Sequence, residues 1–151
     1  MQQPEEQFIK VGQIEIRFFV DGSHSSGAFD AFEFMVPPAA KVPTAHFHDA
    51  VDEFLFGIDG CLTVTIDGQR HQIGAGNRCF IPRGIVHHFI NEHAGPARVL
   101  SFWSPALIGP QFLRECATVI NAGGPPDLQK IAAIMRAHGL IPAEMPAPAG
   151  A

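Results

Sequence analysis

Residues 45–60 read Ala-His-Phe-His-Asp-Ala-Val-Asp-Glu-Phe-Leu-Phe-Gly-Ile-Asp-Gly, two histidines one residue apart followed five residues on by a glutamate. Alternate side chains of a strand share a face, so His46 and His48 point the same way. Glu53 has the wrong parity to continue that face. The chain must turn through residues 49–52 and bring Glu53 in on the next strand, which Asp59-Gly60 closes with turn residues. A second block, residues 76–91, begins at Gly76, bends at Pro82-Arg83-Gly84 and restarts a strand near Ile85. That strand places His87 and Phe89 on one face. Three imidazoles and one carboxylate can hold a divalent transition metal and leave coordination positions open.

The two blocks resemble the paired motifs of the cupin superfamily. The first family motif reads Gly, five residues, His-x-His, three or four residues, Glu, six residues, Gly. It is met by His46, His48, Glu53 and Gly60, with Ala40 standing where the family has its first glycine. The second reads Gly, five residues, Pro-x-Gly, two residues, His, three residues, Asn, and is met by Gly76, Pro82, Gly84, His87 and Asn91. The Ala40 departure falls on a turn and touches no ligand. The resemblance implies an all-β fold, a double-stranded β-helix or jelly-roll barrel, with metal ligands His46, His48, Glu53 and His87. One divalent transition metal per chain is expected, with iron, nickel, copper, manganese and zinc all compatible.

The rest of the chain divides around these blocks. Residues 1–12 are expected to be an N-terminal arm and 13–105 the barrel; 106–140 follow as a helical extension and 141–151 as a flexible tail. Ile14, Ile16, Phe18 and Val20 alternate with other residues in a strand pattern, and residues 29–36 form a second strand ended by Pro37-Pro38. Leu62, Val64 and Ile66 alternate with Thr63 and Thr65 before Asp67-Gly68, a hairpin turn. Many short strands separated by Gly and Pro turns indicate a sandwich or barrel. Beyond residue 105 the spacing becomes helical: Phe112, Leu113, Cys116, Val119 and Ile120 share one stripe. Gly123-Gly124-Pro125-Pro126 breaks it. Asp127 caps a second helix whose apolar face is Leu128, Ile131, Ile134 and Met135, with Gly139 at its end.

Composition excludes several function classes. The 151 residues suit one domain. A formal charge of −5, with Lys and Arg scattered, leaves no basic footprint for nucleic acid. No apolar run approaches the ~20 residues of a membrane helix, and a cytoplasmic location is the expectation. Three cysteines without C-x-x-C spacing argue against a disulfide framework or a structural zinc site. No Ser-His-Asp triad, P-loop or G-x-G-x-x-G motif gives support to nucleophilic hydrolysis or nucleotide binding.

Leu55 shares the metal face with Glu53 by parity; with Phe89 and Trp103 it is a candidate for the substrate pocket. Phe54, Phe56 and Ile58 face the other way, an apolar surface to be covered by the helices, the N-terminal strands or a second copy in a homodimer. His88 is expected to be structural, and His24, His71, His93 and His138 solvated. Arg83 is either an exposed loop residue or a partner for an acidic substrate. Within the superfamily, His87–Asn91, Phe102-Trp103-Ser104-Pro105, the Phe-Leu-Arg-Glu helix and Gly123–Asp127 are similar to small single-domain quercetin dioxygenase-like proteins. That resemblance implies a metal-dependent dioxygenase acting on an aromatic or polyphenolic, flavonol-like molecule, with Glu53 as the catalytic carboxylate. A redox-neutral isomerase or lyase and a non-catalytic small-molecule-binding module are the alternatives.

Overall fold

The computed structural model describes residues 1–148 and 150. In chain order its elements are β1 (Gln7–Val11), β2 (Ile14–Val20), β3 (Asp30–Val36), β4 (His46–His48), β5 (Asp52–Asp59), β6 (Cys61–Ile66) and β7 (Gln69–Gly74). Then come β8 (Arg78–Ile81), β9 (His87–Ile90), β10 (Ala97–Ser104), α1 (Gly109–Ile120), α2 (Leu128–Ala137) and β11 (Leu140–Pro142). The strands make two antiparallel sheets, a larger one in the order β1-β2-β3-β10-β5-β8 and a smaller one in the order β11-β4-β9-β6-β7. Their inner faces enclose the core of a double-stranded β-helix.

Alternation decides which side chains enter that core. In β10, Ala97, Val99, Ser101 and Trp103 are buried while their neighbours are at least partly exposed. In β5, Glu53, Leu55 and Gly57 are buried. Gly57 sits where β5 crosses the smaller sheet: a Cβ there would lie 2.0 Å from the Gly74 carbonyl oxygen, so only hydrogen fits. The hairpin between β6 and β7 turns at Asp67 and Gly68, both with positive φ (49° and 76°), the geometry that matches strand twist.

Both helices form where the apolar spacing places them. Asp127 accepts hydrogen bonds from the amides of Gln129 and Lys130 and so caps α2. Gly139, with φ 78°, lets the chain leave α2 in the left-handed conformation. Asn121, after α1, accepts from the Gly12 amide and donates to the Lys10 carbonyl, both at 2.8 Å, clamping the helix end to the β1–β2 turn. Helix α1 packs along β1 and against α2, and α2 lies beside β11.

Several details differ from the sequence expectations. Residues 7–11 of the arm are strand β1, paired with β2, because Ile9 has a core to enter. Beyond the helices the chain returns as β11, which pairs with β4 through Leu140↔His48 and Pro142↔His46. Beyond it the chain stays in contact with the barrel: the Ala143 amide donates to the Ala45 carbonyl, and the Gly68 amide meets the Met145 sulfur. For residues 149 and 151 the expected tail lies outside the described residues. Leu128 is 71% exposed instead of packed, since it stands at the first turn of α2 beyond the reach of the core. His138 is not solvated: it bonds Glu115 at 2.9 Å and lies against the Phe112 ring. His71 stands in β7, exposed.

Candidate metal centre

Strands from both sheets meet at one point. His46 and His48 project from β4, His87 from the neighbouring β9 in register with His46, and Glu53 from β5 of the larger sheet. All four are buried. The candidate ligand atoms of the three histidines lie within 4.8 Å of one another. Glu53 Oε2 lies 3.2 Å from His87 Nε2 and 3.8 Å from His48 Nε2.

Backbone carbonyls orient the rings. His46 Nδ1 lies 2.9 Å from the Thr44 oxygen and His87 Nδ1 3.0 Å from the Ile85 oxygen. A carbonyl can only accept, so each Nδ1 carries a proton; neutral His46 then keeps a bare Nε2, while His87 Nε2 faces the Glu53 carboxylate. His48 Nδ1 is buried and has no hydrogen-bond partner among the described residues. It is held instead by packing, with its ring edge-on to Trp103 at 6.0 Å. Ser101 Oγ donates to Glu53 Oε1 at 3.0 Å and leaves Oε2 facing the histidines.

The electrostatics fit a cation. Burial, aided by the neighbouring imidazoles, brings His46 down to about 3. Burial likewise brings His48 to about 4, against the pull of Glu53. Both rings are therefore neutral at pH 7, as ligands must be. Burial works against charge on His87 too, but the Glu53 carboxylate outweighs it and the net shift is upward. Burial alone would raise Glu53; the His87 hydrogen bond and the surrounding imidazoles hold it below the usual carboxylate range. Bare nitrogen lone pairs and an ionised oxygen converging in a buried space are costly unless a positive charge sits among them. In the protein alone, a proton shared by His87 and Glu53 supplies part of that charge. The three histidines could hold a metal ion, and their donor set suits one. Cys79 does not join them: burial, with a contribution from Glu53, pushes its thiol up to about 12, so it stays protonated.

The cluster borders a cavity of about 710 Å³. Leu55, Phe89 and Trp103, the three candidate pocket residues, all line it, together with Phe32, Phe34 and Val64. The sequence leaves the pocket's shape to the C-terminal helices but names none of the residues of its outer part. Phe112, Leu113, Cys116 and Ile120 of α1 and Ile131 and Met135 of α2 face it as well. Their helical spacing was legible, but which surface the stripe would cover was not. Ser101 was also missed; its place between Val99 and Trp103 on the buried face was the available signal. Arg83 does not reach the cavity: its amide and guanidinium bond Asp52 at 2.9–3.1 Å on the exposed side. Asn91 is a turn residue, its side chain bonding the Val36 and Gly95 carbonyls.

Known proteins share this frame. Residues 32–103 match the family model described as Cupin domain. The tetracenomycin polyketide synthase protein TcmJ of Streptomyces glaucescens is 32% identical over 68 residues, 45% of this chain and 46% of that protein. The chain thus spans less than half of that relative's length. Among solved structures, a sugar phosphate isomerase of the cupin superfamily from Silicibacter pomeroyi is 25% identical, with TM-score 0.51 over 59% of each chain. An RmlC-like cupin from Shewanella frigidimarina has TM-score 0.58 and 18% identity, over 70% of this chain and 96% of that one. No helix among the described residues is long and apolar enough to cross a membrane. Residues 32–103 thus match the Cupin domain, and the two-sheet barrel built around them and the paired motifs has the fold of the cupin structures.

Proposed function

We propose that this chain is a metal-dependent enzyme acting on an aromatic or polyphenolic small molecule, with dioxygenase chemistry as the leading reading. One divalent transition metal would be held by His46, His48, His87 and Glu53. The observation that carries the proposal is the junction of two environments. Three buried imidazoles and a carboxylate converge on a large cavity whose walls are aromatic and aliphatic. Such a cavity suits a mostly apolar ligand with a few polar groups to orient it. A bound redox-active metal supplies Lewis acidity toward a substrate hydroxyl and access to dioxygen chemistry.

The protein's own part is positioning and proton handling. Phe34 and Phe89, with ring centroids 5.3 Å apart, and Trp103 form flat walls for an aromatic ring. Ser101 fixes one oxygen of Glu53 and leaves Oε2 toward the cavity end where a substrate hydroxyl would arrive. While it faces His87, Glu53 is too weak a base to take a phenolic proton efficiently. Displaced by a substrate from its hydrogen bond with His87, Glu53 would lose the contact that holds it acidic, and Oε2 would become the acceptor.

A second reading has an observation of its own. A structural relative at 25% identity is described as a sugar phosphate isomerase, which needs no oxygen. A redox-neutral reaction at the same centre would run anaerobically and with zinc. The test is metal analysis by inductively coupled plasma mass spectrometry on protein purified without chelator or nickel resin, beside a His48→Ala control. An oxygen electrode with flavonol and catechol substrates follows. Near-stoichiometric iron, copper, nickel or manganese, lost in the control, together with substrate-dependent oxygen uptake, is the expected result. Zinc with anaerobic turnover would replace the dioxygenase reading. No metal after reconstitution would leave a non-catalytic binding module.

A further inference from the structure

The helices that roof the cavity lie outside the segment matched to the cupin domain, residues 32–103. The ligand the cavity takes is therefore set in large part by residues beyond that segment. Where it lines the cavity that roof is apolar: α1 and α2 turn Phe112, Ile120, Ile131 and Met135 to the cavity, and Leu128, 71% exposed, stands at its lip. A cavity of about 710 Å³ with such a roof suits an extended apolar molecule better than a small polar one.

Charge is distributed unevenly along it. Glu53 and the three histidines stand at the inner end, and Lys41 is the one lysine or arginine among the lining residues. Lys41 is exposed and makes no ion pair among the described residues. Its backbone is fixed, since its amide donates to the Gln13 side chain across the β1–β2 turn. Gln13, Lys41 and Thr44 thus form a polar lip, and Gly124, Pro126 and Leu128 an apolar one. An apolar molecule carrying an anion at its outer end would satisfy both lips and place its other end at the histidines.

We infer that the ligand is an extended, largely apolar molecule with one terminal anionic group, a carboxylate or ionised phenol, received by Lys41. The proposal rests on the metal-centre reading for what happens at the inner end, but the outer contact does not need the metal. Lys41 is a specificity residue; it touches no reacting atom.

The experiment uses the full chain, metal-free and zinc-loaded in parallel, with anthracene-2-carboxylate and its methyl ester as probes. Affinity is read by isothermal titration at low and high salt. The acid is expected to bind about two- to five-fold more tightly than the ester, the range of an exposed ion pair. The preference should vanish at high salt and in Lys41→Ala, and invert in Lys41→Glu. Lys41 is exposed, so neither variant threatens folding. Ala132→Trp in the roof, verified as folded by its melting curve, should weaken both probes alike. Equal binding of acid and ester to the unmodified chain, a preference that survives Lys41→Glu, or binding of neither probe would overturn the inference. A preference seen in metal-free protein that never takes up metal would sink the metal-centre reading and leave this one standing.

Discussion

At the scale of single residues, the site is a problem of unsatisfied charge. His46 and His48 are held neutral by burial, and their shifts carry a stability consequence with a definite sign. Their folded values, about 3 and about 4, lie below the 6.5 of a free imidazole, so the unfolded chain takes up protons that the folded chain refuses. The stability tied to this pair is complete above pH 6.5 and drains away as pH falls toward 3. His87, whose value is raised, acts oppositely: its contribution is complete below 6.5 and is lost as pH rises through its raised value. Two depressed groups against one raised group give a net loss in acid. Melting temperatures of chelator-treated protein should therefore fall from pH 7.5 to pH 5, and a flat or rising series would contradict the assignment. Ser101 gives a second prediction at this scale. Its hydroxyl orients Glu53, so Ser101→Ala should weaken metal binding by about 10–100-fold with the fold intact, as read by competition with a chromophoric chelator. Unchanged affinity would make Ser101 a spectator.

At the scale of elements, the paired blocks were legible because the chemistry demands them. Two histidines at i and i+2 need a strand, and Glu53 off parity needs a turn and a second strand; β4 and β5 are those strands. Helix α2 was readable from Asp127 to Gly139 because its cap and its exit residue are both local signals. Strand β11 was not, since Leu140-Ile141-Pro142 has too few residues for any period and earns its conformation only by pairing with β4. The residues of the cavity's roof escaped for a similar reason: a stripe shows that a helix has a partner, not which one. The pairing of β11 with β4 has a measurable consequence. Leu140 is buried opposite His48, so Leu140→Ala should cost about 2–4 kcal/mol by chemical denaturation. Because β4 is three residues long, it should also loosen metal binding. A stability loss with metal affinity untouched would show that β9 alone keeps His46 and His48 in place.

At the scale of the molecule, the outer face of the larger sheet stands out. Phe80 is 58% exposed and Phe56 37%, beside Phe54, Phe102 and Phe29, which pack among themselves. The parity of β5 had marked Phe54 and Phe56 as facing away from the site, and left open what covers them. The helices do not take that role; they pack on β1, on β11 and on each other. Exposed aromatic clusters of this kind are usual places for protein contacts. A homodimer through this face is the outcome we expect. Sedimentation velocity at micromolar concentration should give about twice the 16.3 kDa chain mass, and Phe80→Glu should restore the single-chain value. A monomer in the unmodified protein would refute it.

The four candidate ligands come from opposite walls of the barrel, three from the smaller sheet and one from the larger. An ion bound there would be a rivet through two plates as well as a reactive centre. To unfold, the walls must part, and parting them would first break coordination, so the loaded protein should open far more slowly than the empty one. The ion's occupancy would then govern how long each molecule survives proteases. A cell short of that metal would be left with fewer copies of the protein, not merely with idle ones.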